Sequence, residues 1–208
     1  TGESSIKVTE VQKTETIIST LQWSNESVLE VEATTDAPTI GVNKENNNAI
    51  IDLRGVTGSV TTSYTLNREA AFNNYVSFCR VDDANGTING NTPGASNFNR
   101  QQYIQDALSL RRVSVDLTVS NLSTNLVTSS LTGGSFFAPF LVANGTLEQG
   151  LSGAANVFFS FGAANSDGAS HIVNLGNNLF GCEDLTGSVN DFDYNDTVIK
   201  IGFDLSIA

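Results

Sequence analysis

The chain has no methionine, only two cysteines, three prolines, one histidine and one tryptophan among its 208 residues. Each shortage narrows what it can be. Cys79 and Cys182 stand far apart, with no third thiol and no second histidine, so there is no ligand spacing for a zinc cage. The two thiols either form one disulfide in an oxidising compartment or are two unrelated buried side chains. Basic residues are scarce, 10 Lys and Arg against 22 Asp and Glu, and the resulting charge of −12 excludes a surface built to read nucleic-acid phosphates. No apolar run approaches the ~20 residues of a spanning helix, so no membrane span is expected. Without a methionine, Thr1 is not a translation start, so the chain is a processed mature form or an excised fragment, and a removed export signal is the simplest reading. That reading predicts a secreted protein, extracellular or at the cell surface.

Charge is low overall, 15% against the usual quarter, and polarity is carried by Asn, Ser, Thr and Gly. These residues compete for backbone hydrogen bonds and favour turns and strands over helices. Hydrophobic residues make up 39%, enough for a substantial core. Alternating or β-branched runs recur at Ile6–Val11, Thr16–Leu21, Val28–Val31, Ala49–Leu53, Ser59–Leu66 and Tyr75–Val81. After the Pro93-Gly94 turn, Arg100–Leu110 predicts one short helix with Tyr103, Ala107 and Leu110 on its stripe, capped by Asn97 or Asn99. Strands resume at Val113–Val119, Phe136–Val142, Val157–Phe161, His171–Leu175 and Thr197–Leu205. This spacing of strands and turns predicts an all-β sandwich or jelly roll with one helix at about 100–110.

The most informative segment is the acidic run Glu183–Asp196, set between two apolar strands and containing Glu183, Asp184, Asp191, Asp193, Asn195 and Asp196. Carboxylates packed this densely repel one another unless solvent or a cation neutralises them. An oxygen-only donor set selects Ca2+ over zinc or copper. Asp191-x-Asp193-x-Asn195 matches the first three ligand positions of an EF-hand loop. The match ends there, because Asp196 stands where the tight-turn glycine belongs and Gly202 where the bidentate glutamate belongs. The prediction is therefore a calcium loop on a β scaffold. A second acidic turn at Asp82 and Asp83 follows the strand carrying Cys79 and is either an ordinary Asx turn or a further source of ligands.

From about residue 70 to 208 the sequence resembles a bacterial family of domains of unknown function, numbered 4114. The resemblance is carried by Asn73–Phe78, by Arg80–Asp83, by Pro93-Gly94 ahead of the Tyr103–Leu108 helix and by Gly134–Gly145. It continues through Ala164-Asn165 with His171, Phe180-Gly181-x-Glu183-Asp184, and Asp191-x-Asp193-Tyr194-Asn195-Asp196. The resemblance implies export and a calcium-rich, adhesive or cell-surface setting. Both cysteines stand where that pattern has an aromatic residue, and their paired replacement implies a Cys79–Cys182 disulfide that would bring Asp82 and Asp83 beside the acidic run. Residues 1–65 lie outside the resemblance. They are either extra strands of one compact unit with the domain at 66–208, or an arm that completes a neighbouring copy's sheet by strand addition.

The function expected is a secreted, calcium-binding structural or adhesive module. It would self-assemble as a surface or filament subunit through its N-terminal strand, or bind a glycan or protein receptor. The alternative is a calcium-dependent carbohydrate-binding module using Tyr194, Phe192 or Trp23 as an apolar face. A glycoside hydrolase is disfavoured, because neighbouring residues of one strand point to opposite faces and Glu183 and Asp184 would not act as a pair. His171 is expected to pack or hydrogen-bond.

Overall fold

A computed structural model describes residues 7–13, 16–22, 28–33, 39–42, 49–187 and 191–204, with side chains from Ala49 onward. Strands β1 (Lys7–Lys13), β2 (Thr16–Gln22) and β3 (Val28–Ala33) form an antiparallel meander. Among the described residues this meander is a sheet of its own. Two five-stranded antiparallel sheets follow. One contains β4 (Thr39–Val42), β5 (Ala49–Asp52), β7 (Tyr75–Val81), β9 (Phe136–Val142) and β10 (Val157–Phe159). The other runs β11 (Ile172–Gly176), β12 (Leu179–Cys182), β13 (Thr197–Asp204), β6 (Ser59–Asn67), β8 (Thr124–Thr132). No helix of the described residues is long and apolar enough to cross a membrane.

Period-2 alternation explains the layering. In β6 and β13 one face is buried and the other polar, so that sheet covers the core from one side only. β9 is apolar at every position, and all seven of its residues are buried. Its two faces feed two separate clusters. Phe137 and Leu141 join Phe78, Tyr64, Phe180 and Ile199 between the sheets, while Phe136, Phe140 and Val142 join Cys79, Tyr103 and Leu108 beneath the helix. The architecture is therefore sheet, sheet, helix, with the β7–β9 sheet in the middle.

Pro139 lies in the centre of that middle sheet, where proline is normally excluded. Val76 and Arg80 of β7 turn their N–H groups away from β9, toward Leu117 and Arg111. By alternation Phe78 faces Pro139 across a pair that exchanges no hydrogen bond. On its other edge β9 pairs with β5 at residues 136–137 and with β10 at residues 140–142, so Pro139 falls in the gap between them.

Helix α1 (Arg100–Gln105) is capped by the Asn99 side chain, which accepts from Gln102 N, and it runs on as a π-helical stretch over Asp106–Leu110. The wider turn takes Leu110 off the apolar stripe, leaving it 71% exposed where it was expected to pack, whereas Tyr103, Ile104, Ala107 and Leu108 are buried. Val113–Val119 keeps its expected alternation, with Val115, Leu117 and Val119 buried. It meets β7 through the isolated Val76↔Leu117 bridge and the bond from Val113 N to the Phe78 carbonyl, and it forms no regular ladder. A second short helix, α2 (Leu147–Ser152), opens on a capping box of Thr146 and Gln149.

Candidate metal centre

The acidic residues meet where β12 and β13 open at the end of their sheet. The two strands pair through Phe180↔Ile199 and Gly181↔Val198, so the residues just past β12 lie beside those just before β13. Gly181 is required at this point. A Cβ there would come within 2.6 Å of the Tyr194 carbonyl oxygen, because the returning loop crosses directly over it. In that loop Phe192 and Tyr194 adopt left-handed backbone conformations, φ 56° and 54°, which bulky L residues enter at a cost of order 1–3 kcal/mol. The turns they make bring Asp191 and Asp193 to the same place.

Two carboxylate groups result, and Glu183 belongs to both. Glu183, Asp184 and Asp196 offer oxygens within 4.8 Å of one another, and so do Glu183, Asp191 and Asp193. The expectation that Glu183 and Asp184 diverge to opposite faces is corrected here. β12 ends at Cys182, and strand alternation no longer applies to the irregular backbone beyond it. Asp184 accepts from the Asn74 amide at 2.6 Å, and Asp196 accepts from Asp184 N at 2.8 Å. Asp193 accepts from Asn195 N at 3.2 Å. Asn195 itself bridges to Cys182 and its carbonyl accepts from Glu69 N.

Glu183 is fully buried. Its Oε1 accepts a long hydrogen bond from Leu185 N at 3.3 Å, and its Oε2 has no partner. Burial, reinforced by Asp196 and Asp191 nearby, pushes its carboxyl up to about 7. Burial also lifts Asp184 to about 6, with Asp196 adding to the shift and Asn74 opposing it. The backbone of Glu183 is held by His171, whose Nδ1 lies 3.0 Å from the Glu183 carbonyl and whose own carbonyl accepts from Glu183 N at 2.8 Å. The imidazole stacks on Phe158 at 3.8 Å and meets Asp167 at 3.0 Å through Nε2. His171 is thus a buried packing and hydrogen-bonding residue, as expected from its strand context.

The donor set is all oxygen, and an orphaned buried carboxylate oxygen is what a bound hard cation would satisfy. These residues fit a metal ion. They do not include Asp82 and Asp83. Asp83 accepts from Asn85 N, Thr87 N and Thr87 Oγ1, while Asp82 accepts from Asn89 N and pairs with Arg111 at 2.9 Å. Both belong to a closed turn of their own.

The Cys79–Cys182 disulfide is also corrected, for both cysteines are free and buried. Phe78 points into the space between the sheets, where Cys182 lies, so its neighbour Cys79 points to the helix side. A sheet separates the two sulfurs. Burial pushes the Cys79 thiol up to about 12, and it raises Cys182 as well. Trp23, named as an apolar face for sugar, lies outside the described residues. Asn74 was not singled out as a site residue, although it stands in the Asn73–Phe78 motif. Its partner Asp184 is too distant in sequence for any local pattern to join them.

Residues 131–204 match the family described as a domain of unknown function (DUF4114), which makes this segment, less than half of the chain, similar to that domain. All six candidate ligands of the run, Glu183, Asp184, Asp191, Asp193, Asn195 and Asp196, lie inside the match, while Asp82, Asp83 and Cys79 lie outside it. The chain has no significant match among curated proteins or among solved structures.

Proposed function

We propose that Glu183, Asp184, Asp191, Asp193 and Asp196 hold Ca2+, and that the chain works as a secreted structural or adhesive module stiffened by that ion. The observation that carries this reading is Glu183, buried, shared by both carboxylate groups, with Oε2 unpartnered. Burying like charges without a counter-ion costs free energy, and a divalent cation converts that cost into binding energy. Carboxylate oxygens without His or Cys favour calcium over transition metals. The ion would tie the end of β12 to the start of β13 and, through Asn74, to the start of β7. Rigidity of that kind suits a load-bearing or adhesive role. Catalysis fits poorly, since a fully buried Glu183 offers no surface to a substrate.

The same reading includes assembly of copies by strand addition, supported by the pairing of β1–β3 only with one another among the described residues. Light scattering across a concentration series in calcium tests it, and a monomer at all concentrations removes it. For the ion, elemental analysis of protein dialysed against calcium is expected to find bound Ca2+. Melting temperature is expected to fall on chelation. No bound calcium together with an unchanged melting temperature would end the proposal. A second reading, calcium-dependent sugar binding at this loop, is favoured by Phe192, 54% exposed beside Asp191 and Asp193. Glycan-array hits in calcium that vanish in chelator would support it.

A further inference from the structure

A cleft of about 580 Å³ lies between the end of β6, the start of β7, the segment Thr118–Ser120 and the start of β8. In a chain of net charge −12, no aspartate or glutamate lines it. Its one charged residue is Arg68, which is 8% exposed and makes no ion pair with any described residue. Arg68 Nη1 donates to Asn73 Oδ1 at 3.0 Å, while Nε has no hydrogen-bond partner. Asp184, held by Asn74, lies near enough to feel the charge of Arg68 but not in ion-pair contact, and a buried guanidinium with an unused donor and no carboxylate against it is suited to an arriving anion. Apart from Val119 and Gly145, the remaining walls carry amides and hydroxyls. Thr118 and Ser120 are exposed there, and their hydroxyls form no hydrogen bond with the described residues.

We propose that this cleft binds a carboxylate-bearing saccharide, with Arg68 on the carboxylate and Thr118, Ser120 and Asn125 on the ring hydroxyls. A single guanidinium matches one negative charge. A phosphate dianion would meet too little positive charge against the acidic background of the chain. The volume lies in the range of a small-ligand site. Neutral hydroxyl and amide side chains suit hydroxyl-rich ligands, which need paired donors and acceptors more than charge.

Calorimetric titration of the full chain with glucuronate, glucose and acetate tests this. It is run in chelator, so that a sugar held through a metal ion does not register and the outcome is independent of the calcium reading. Glucuronate is expected to bind, with glucose and acetate each at least about tenfold weaker. Arg68→Gln is expected to lose about tenfold or more toward glucuronate. Because Arg68 is buried and that variant could be destabilised, Thr118→Ala and Ser120→Ala serve as a second arm. Both alter exposed hydroxyls, and together they are expected to weaken glucuronate several-fold at unchanged melting temperature. The proposal is overturned by absence of glucuronate binding, by acetate binding as tightly as glucuronate, or by full affinity in a folded Arg68→Gln or in the double hydroxyl variant.

Discussion

Among the described residues, two acidic loops treat their carboxylates in opposite ways. In the Asp82–Asn91 turn every carboxylate oxygen of Asp82 and Asp83 has a donor, supplied by backbone N–H groups, the Thr87 hydroxyl and Arg111. In the Glu183–Asp196 region five carboxylates share few donors, no described Lys or Arg forms an ion pair with them, and Glu183 Oε2 has none. An acidic loop that satisfies itself is a fold element. One that leaves a buried carboxylate oxygen unmet has the donor set to take up a cation. The lesson is that acidic density says little, while donor bookkeeping separates the two cases.

The largest effect expected is on calcium-linked stability. At a calcium concentration a hundredfold above Kd, linkage gives about 2.7 kcal/mol. For a chain of this size that is a rise in melting temperature of about 5–10 °C. Glu183→Gln is expected to abolish the rise. In chelator at pH 8 the same variant is expected to melt above the parent, because it removes a buried like charge. Asp82→Asn and Asp83→Asn should leave the calcium shift intact. A calcium shift that survives Glu183→Gln would break the contrast between the loops.

The pH dependence comes next. Without metal, Glu183 and Asp184 hold protons more tightly folded than unfolded, because burial raises both. The stability they contribute is present in full below pH ~4, where both states are protonated. It is lost as pH rises through about 6 for Asp184 and about 7 for Glu183. Chelated parent protein should therefore lose stability relative to chelated Glu183→Gln between pH 4 and 8, measured by denaturant titration. With calcium bound the sign reverses, because protons compete with the ion. Affinity should then weaken below pH 7 by about tenfold per pH unit for each proton displaced.

A smaller effect belongs to the other loop. Asp83→Ala strips acceptors from Asn85 N and Thr87 N and should cost about 1–3 kcal/mol. Chemical denaturation should return the same cost in calcium and in chelator. A cost that depends on calcium would move Asp83 into the metal site after all.

Which of these features could be read from the sequence follows from how local they are. β6, β7, β9 and β13 announce themselves by apolar alternation or by an unbroken apolar run, and α1 by its stripe and Asn99 cap. β8 is harder to see because it is an edge strand, Thr-Asn-Leu-Val-Thr-Ser-Ser-Leu-Thr, mostly exposed and without a clean apolar face. β12 is short, and its hairpin turn uses Asn177 and Asn178 at positive φ. The acidic run is legible because its ligands are close in sequence. The Asn74 bond to Asp184 is not, since only the packing of β7 against the end of β12 creates it. The error over the cysteines had a readable remedy. If Phe78 fills the space between the sheets, alternation sends Cys79 the other way.

That geometry gives the sharpest test with the smallest expected signal. A disulfide closing the loop from Cys79 to Cys182 would tie the two acidic loops together and stabilise the chain by about 4–5 kcal/mol through chain entropy. With one cysteine on each face of the middle sheet, the expected contribution is nil, so reductant should leave the melting temperature unchanged. Native protein should react slowly with thiol reagents, because burial raises both thiols and shields them. Unfolded in denaturant without reductant, it should expose two reactive thiols per chain. If none were found there, a covalent link would join the two loops, and the self-satisfied Asp82–Asn91 turn would have to be reconsidered as part of the metal centre.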